Sequence, residues 1–227
     1  MMTKLILLAS CALAVTACTN STYGPAESRS TESAGLVASR HVDVSGDAEF
    51  AGMLVRANGN VGRDLQLAGA SVSSNAIVGG DLAAAGASVR FTGSVGGNTE
   101  IAAARAWIDA DLDGDVEVAG ARVTLDGRVG GRLDMHGARM HLKGEYIGPV
   151  EVIGEGREDE DHIRNGRAIL AGNFAGGGVV CATHVEVRSS ARFGSEMRII
   201  ASERPEGPVA GYSYEPLNGR DCDRVDI

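Results

Sequence analysis

The chain has 227 residues and a net charge of −9, with 21 Lys plus Arg against 30 Asp plus Glu and no basic block to offset the excess locally. That balance argues against nucleic-acid binding through phosphate neutralisation. Glycine is unusually abundant, 32 residues or about 14 % of the chain, whereas aromatic residues make up only 4 %. A core of ordinary size therefore has to be built from Val, Leu, Ile and Ala.

The N-terminus reads as an address. Lys4 is followed by an apolar run, Leu5 to Val15, of signal-peptide length and too short to cross a bilayer. The run ends in Val15-Thr16-Ala17-Cys18, which resembles a bacterial lipobox. The resemblance implies a signal peptide over 1–17 and a lipidated Cys18 that anchors the chain in a membrane of the bacterial envelope. Thr19 stands where an Asp would resemble an inner-membrane retention signal, so the expected site is the outer membrane, facing the periplasm or the cell surface. A second tetrad, Leu8-Ala9-Ser10-Cys11, leaves almost no apolar run before it. The alternative is an ordinary signal peptide with Cys18 near its cleavage point. Residues 18–40 are rich in Ser, Thr, Ala, Gly and Glu and read as a flexible linker.

From residue 41 the chain repeats every 17 residues. Val44, Val61, Val78, Val95, Leu112, Val129 and Tyr146 mark the starts. Glycine recurs eight places after most starts, at Gly52, Gly69, Gly86, Gly120, Gly137 and Gly154. Apolar residues fall at the fourth and sixth places, such as Leu65 and Leu67, and again at the eleventh and thirteenth, such as Val89 and Phe91. Spacing of two is strand periodicity with one face inward. Each unit thus reads as two short strands and a third contact at the start. Such strands cannot bury an apolar face alone, so the units must stack. The expectation is an all-β parallel solenoid over 41–201, of about nine rungs at roughly 4.8 Å each. An acidic insertion, 155–165, breaks the register; looser rungs start at Phe174 and Phe193. Residues 202–227, with Pro205, Pro208 and Pro216, read as a C-terminal cap.

The repeat seen in Val78-Gly79-Gly80-Asp81-Leu82 and Leu112-Asp113-Gly114-Asp115-Val116 resembles that of the bactofilins, the polymer-forming cytoskeletal proteins. The resemblance covers 44–153 well and 166–201 loosely. It implies a right-handed parallel β-helix that polymerises end to end and scaffolds envelope proteins. The export signal, acidic insertion and long C-terminal extension set this chain apart from typical cytoplasmic bactofilins. Its address is similar to that of lipid-anchored β-helical head domains described as adhesin-like.

No catalytic constellation stands out. Hexapeptide acyltransferases need a multiple of six, and a polysaccharide lyase needs clustered acid and base beside aromatic platforms, where this chain has only Trp107. The chain is therefore expected to be non-enzymatic, with no cofactor and no metal. An Asp row, Asp47, Asp64, Asp81, Asn98 and Asp115, fits turn formation beside Gly better than a calcium ladder. Two outward rows carry charge: Glu100, Glu117, Asp134 and Glu151 at the fifth place, and Arg105, Arg122 and Arg139 at the tenth. The Arg row, with Trp107, is the candidate interaction stripe, for a second copy or an envelope protein or polymer. Cys181 and Cys222 are expected to form a disulfide, closing a loop worth roughly 4 kcal/mol in the chain-entropy model. The rival is a zinc site built on Cys181-Ala182-Thr183-His184 with Asp221-Cys222-Asp223.

Overall fold

A computed structural model describes residues 30–154, 157–159, 162–164, 166–205 and 210–222, with backbone only for 157–159 and 162–164. The expected signal peptide, 1–17, and the expected lipidation site, Cys18, lie outside the described residues.

The first six coils are single strands of fourteen residues: β1 (Thr31–Val44), β2 (Ala48–Val61), β3 (Leu65–Val78), β4 (Leu82–Val95), β5 (Thr99–Leu112) and β6 (Val116–Val129). Each pairs in parallel with the next, so that Val44, Val61, Val78, Val95, Leu112, Val129 and Tyr146 form one column. In β4 the inward residues Leu82, Ala84, Val89, Phe91 and Val95 are buried while Ala83, Ala85 and Arg90 face out. The alternation slips by one residue around Ala87 and Ser88, which marks a corner. Strand pairing nevertheless runs through that corner, so the two short strands expected per unit merge into one. Gly86 permits this close passage, since a Cβ there would stand 2.2 Å from the carbonyl oxygen of Gly69. The only break per coil is three residues long, such as 79–81.

Among the described residues the solenoid begins at Thr31, ten residues inside the stretch assigned to the linker. Thr31 and Ser33 occupy the inward places that Leu65 and Leu67 fill two coils on, and two hydroxyl residues give no apolar signal. The structure has about ten turns rather than nine.

Beyond β6 the coils are segmented. β7 (Leu133–Leu142) and β8 (Glu145–Tyr146) complete the seventh, and β9 (Val150–Gly154) opens the eighth. The insertion is a hairpin rather than a loop: β10 (Arg157–Asp159) pairs antiparallel with β11 (His162–Arg164) in a sheet of its own. β12 (Arg167–Leu170) then resumes the coil on β7, and β13 (Asn173–Phe174) on β8. β14 (Gly178–Cys181), β15 (His184–Val187) and β16 (Arg192–Phe193) form the next turn, followed by β17 (Met197–Ala201) and β18 (Tyr212–Pro216).

One apolar column fills the interior from Ala38 to Ala201. Each Leu, Val or Ile buried there contributes about 1.5–3 kcal/mol, offset by the ordering of its own coil. At the C-terminal end the column turns aromatic. Tyr146 stacks on Phe174 at 4.9 Å between ring centroids, Phe174 meets Phe193 at 5.6 Å, and Tyr212 closes the series edge-on at 6.0 Å. Tyr146 is fully buried and the single proton of its hydroxyl is shared between the carbonyls of Lys143 (2.6 Å) and Leu125 (3.1 Å); burial pushes its pKa well above the usual value.

Candidate interaction faces and the two ends

The corner after each coil explains the Asp row. At Asp64 and Asp81 the backbone carbonyl accepts from the preceding coil, from Ala48 N–H (2.8 Å) and Leu65 N–H (2.9 Å). The N–H of the same residue also points to the preceding coil, where the neighbouring carbonyl is turned away. A side chain has to supply the acceptor. Asp64 Oδ1 accepts from Asp81 N–H at 2.9 Å, Asp81 Oδ1 from Asn98 at 2.7 Å, Asn98 Oδ1 from Asp115 at 3.0 Å, and Asp115 Oδ1 from Arg132 at 2.8 Å. The row is a structural hydrogen-bond ladder in which Asn serves as well as Asp. A shallow groove of about 580 Å³ runs beside it, bordered by Asp81, Asp115, Glu100 and Glu117.

The two charged rows stack in register. Glu100, Glu117, Asp134 and Glu151 form one column, and Arg105, Arg122 and Arg139 another. The second column continues through Arg167, which pairs with Arg139 across the hairpin insertion. Sequence reading missed Arg167 because the insertion breaks the 17-residue step. Like charges stacked this closely repel by about 1 kcal/mol per pair in water, a tolerable cost at an exposed face. Among the described residues Glu100, Glu117, Arg105, Arg122 and Arg139 have no ion pair. Several charges elsewhere are matched: Arg63 with Asp47, Arg128 with Asp113, Arg132 with Glu151, Arg167 and Arg188 with Glu186. Asp134 meets His136 Nε2 at 3.0 Å.

Trp107 is half-buried two residues along from Arg105, and the guanidinium of Arg90 lies over its ring, 4.7 Å from the centroid. Their 17-residue separation was the signal that could have found this pair. His141, on the same outward row, is held below its usual pKa by burial, then by Lys143 and Arg188. His141 therefore adds little positive charge to this face near neutrality.

The ends differ. At the C-terminal end the sheet finishes in three short edges, β15, β16 and β18. The tail does more than cross that end. Leu217 and Cys222 pack against Ile153, Cys181 and Ile200, a small apolar cluster separate from the interior column, so the tail wraps over a side of the rod. The Cys181–Cys222 disulfide fixes it there, which leaves neither thiol to ligate a metal. Glu215 accepts from Arg198 Nη2 (2.9 Å) and Arg220 Nη2 (2.7 Å). These two contacts, Arg220 first, hold its carboxyl below the usual range. At the N-terminal end β1 is one unbroken edge of fourteen residues with no further strand among the described residues. Leu36 and Val37 within it and Met53 in β2 are exposed by 71, 58 and 62 %.

No family model, curated protein or solved structure matches the chain.

Proposed function

We propose that this protein is a non-catalytic structural lipoprotein of the bacterial envelope, a rigid β-solenoid rod held by Cys18 and assembling through its N-terminal end in the manner of a bactofilin-like scaffold. The observation that carries the reading is the inequality of the ends. An unpaired strand edge is a template for another chain, and proteins normally shorten, charge or cover it. Here, among the described residues, the C-terminal end is divided into short edges and plugged by Tyr212, whereas β1 is long and continuous and exposes Leu36 and Val37, with Met53 of β2 beside them. The lipobox-like Val15-Thr16-Ala17-Cys18 supports the address, and the absence of a clustered acid and base beside a sugar platform supports the non-catalytic part.

Electron microscopy and light scattering of the chain from residue 19 test the assembly. End-to-end oligomers are the expected result, and a monomer at every concentration would contradict it. Replacing Cys18 by Ser should abolish acyl labelling and membrane association; retention of both would remove the anchor from the account. A second reading, a lipid-anchored adhesin-like module, draws on the Arg90–Trp107 stack beside the unpaired Arg105, Arg122 and Arg139. It requires a monomer that binds a charged envelope polymer, with binding lost when those arginines are replaced.

A further inference from the structure

One flank of the rod lies between the corner at Ala87 and Ser88 and the next bend, where Gly59, Gly93 and Gly127 take positive φ. Val37 begins a column on it that runs through Leu54 and Ser71 to Arg105, Arg122 and Arg139. Two residues along, Arg56, Arg90 and Trp107 share the neighbouring column. At its N-terminal end the flank is apolar. Val37 is exposed, Leu54 is half-buried beside it, and exposed Leu36 and Met53 stand on the corner next to them.

Further along the flank is basic. Among the described residues Arg56, Arg90, Arg105, Arg122 and Arg139 form no ion pair, and Arg90 lies over the ring of Trp107. No acid stands on the flank from β1 to β4, since Asp43 lies past the bend. Asp109, Asp126 and Glu186 follow from β5 on; Lys143 lies 3.9 Å from Asp126, and Arg167 and Arg188 hold Glu186. The acidic column through Glu32, Glu49, Glu100 and Glu117 is on the other side of the corner, and the Asp row is on the third side. A chain of net charge −9 therefore offers one basic flank, and that flank alone carries the exposed Leu36, Val37 and Met53 and the single Trp.

We propose that this flank docks on an anionic lipid surface, the rod lying along the membrane, with Leu36, Val37 and Met53 in the headgroup layer and the arginines on lipid phosphates. Apolar residues at one end, arginines along the length and a Trp between them are what an interfacial surface needs, because its binding adds apolar burial to attraction by anionic headgroups. From Val37 to Arg139 the flank extends about 29 Å. An acidic polysaccharide would use the arginines and leave the apolar end in water. A second copy on the same flank would set cation against cation or against the apolar end. The patch is on the coil nearest Cys18, and the thirteen residues from Cys18 to Thr31 reach at most about 45 Å, enough for an anchored rod to lie flat. The docking itself does not need the anchor, and it uses outward side chains rather than the backbone edge of β1.

The test is co-sedimentation of the chain from residue 19, which contains the whole solenoid and lacks Cys18, with vesicles of phosphatidylglycerol and phosphatidylcholine in equal parts and of phosphatidylcholine alone. Binding should need phosphatidylglycerol, and the emission of Trp107 should move to shorter wavelength as it binds. Binding should fall about tenfold or more in roughly 0.5 M salt and in the Arg105→Glu, Arg122→Glu, Arg139→Glu variant. It should fall by a similar factor in the Leu36→Ser, Val37→Ser, Met53→Ser variant, with circular dichroism showing both variants folded. Light scattering without lipid reads end-to-end assembly, which the arginine changes should leave intact, so the two readings fail separately. No binding to the anionic vesicles, or binding that leaves Trp107 emission unchanged and survives the Arg→Glu changes, would overturn the proposal. So would retention on dextran sulfate without vesicle binding, which assigns the arginines to an anionic polysaccharide. Loss of self-association in the Ser variant with vesicle binding intact would assign the apolar patch to a second copy and overturn it as well.

Discussion

Thr99 shows how finely the interior is specified. It stands in the inward column of Leu65, Leu82, Val116 and Leu133, is 2 % exposed, and its Oγ1 has no hydrogen-bond partner among the described residues. A buried hydroxyl without a partner retains its desolvation cost. Thr99→Val keeps the shape and removes that cost, so it should stabilise the chain by about 1 kcal/mol in urea unfolding. The Asp row makes the opposite point, that an exposed side chain can be a fixed part of the backbone ladder. Asp81→Ala leaves the Asn98 N–H without its acceptor and should cost about 1 kcal/mol, as at a lost helix cap, while Asp81→Asn should be nearly neutral. Equal losses from both substitutions would show that the carboxylate charge matters, contrary to the ladder account.

At the level of elements, the tail is held by three separable devices: the β18 pairing, the Leu217 and Cys222 contacts, and the charges at Glu215. Replacing Cys181 and Cys222 together by Ser should lower stability by about 2–4 kcal/mol, read by thermal unfolding of the oxidised and substituted chains. Glu215 has a lowered folded-state pKa, so its contribution is present above the ordinary carboxylate range and is lost as pH falls through the lowered value. Glu215→Gln should therefore unfold at lower temperature than the parent near pH 7, and the difference should vanish as pH falls below the lowered carboxylate value. These elements also mark how far the sequence was readable. The repeat was legible because inward positions recur with the period as far as Tyr146, and Phe174 and Phe193 extend that column off the 17-residue step, recognisable as apolar rung starts beyond the insertion. The first coil was hidden by Thr31 and Ser33, whose hydroxyls look like linker, and Arg167 by an insertion that changes the step. The wrapping of the tail over Ile153 and Ile200 carries no periodic signal, because it is a single contact between distant segments. The charged columns were visible as rows, but their register, and which of their members form ion pairs, required the fold.

For the whole molecule, the period sets a rod and the ends set its behaviour. A solenoid gains stability with each added neighbour, so an end coil always has an unsatisfied side. In this chain the C-terminal side is spent on the tail, while among the described residues β1 keeps its full edge. If assembly uses that edge, outward-pointing amides of β1 exchange freely in the monomer and become protected when chains meet. Hydrogen–deuterium exchange across a concentration series, read by mass spectrometry on the chain from residue 19, follows both ends at once. The account predicts protection that rises with concentration within residues 31–44 and stays constant within 184–216. Protection that rises in the C-terminal segment, or in neither, would contradict it.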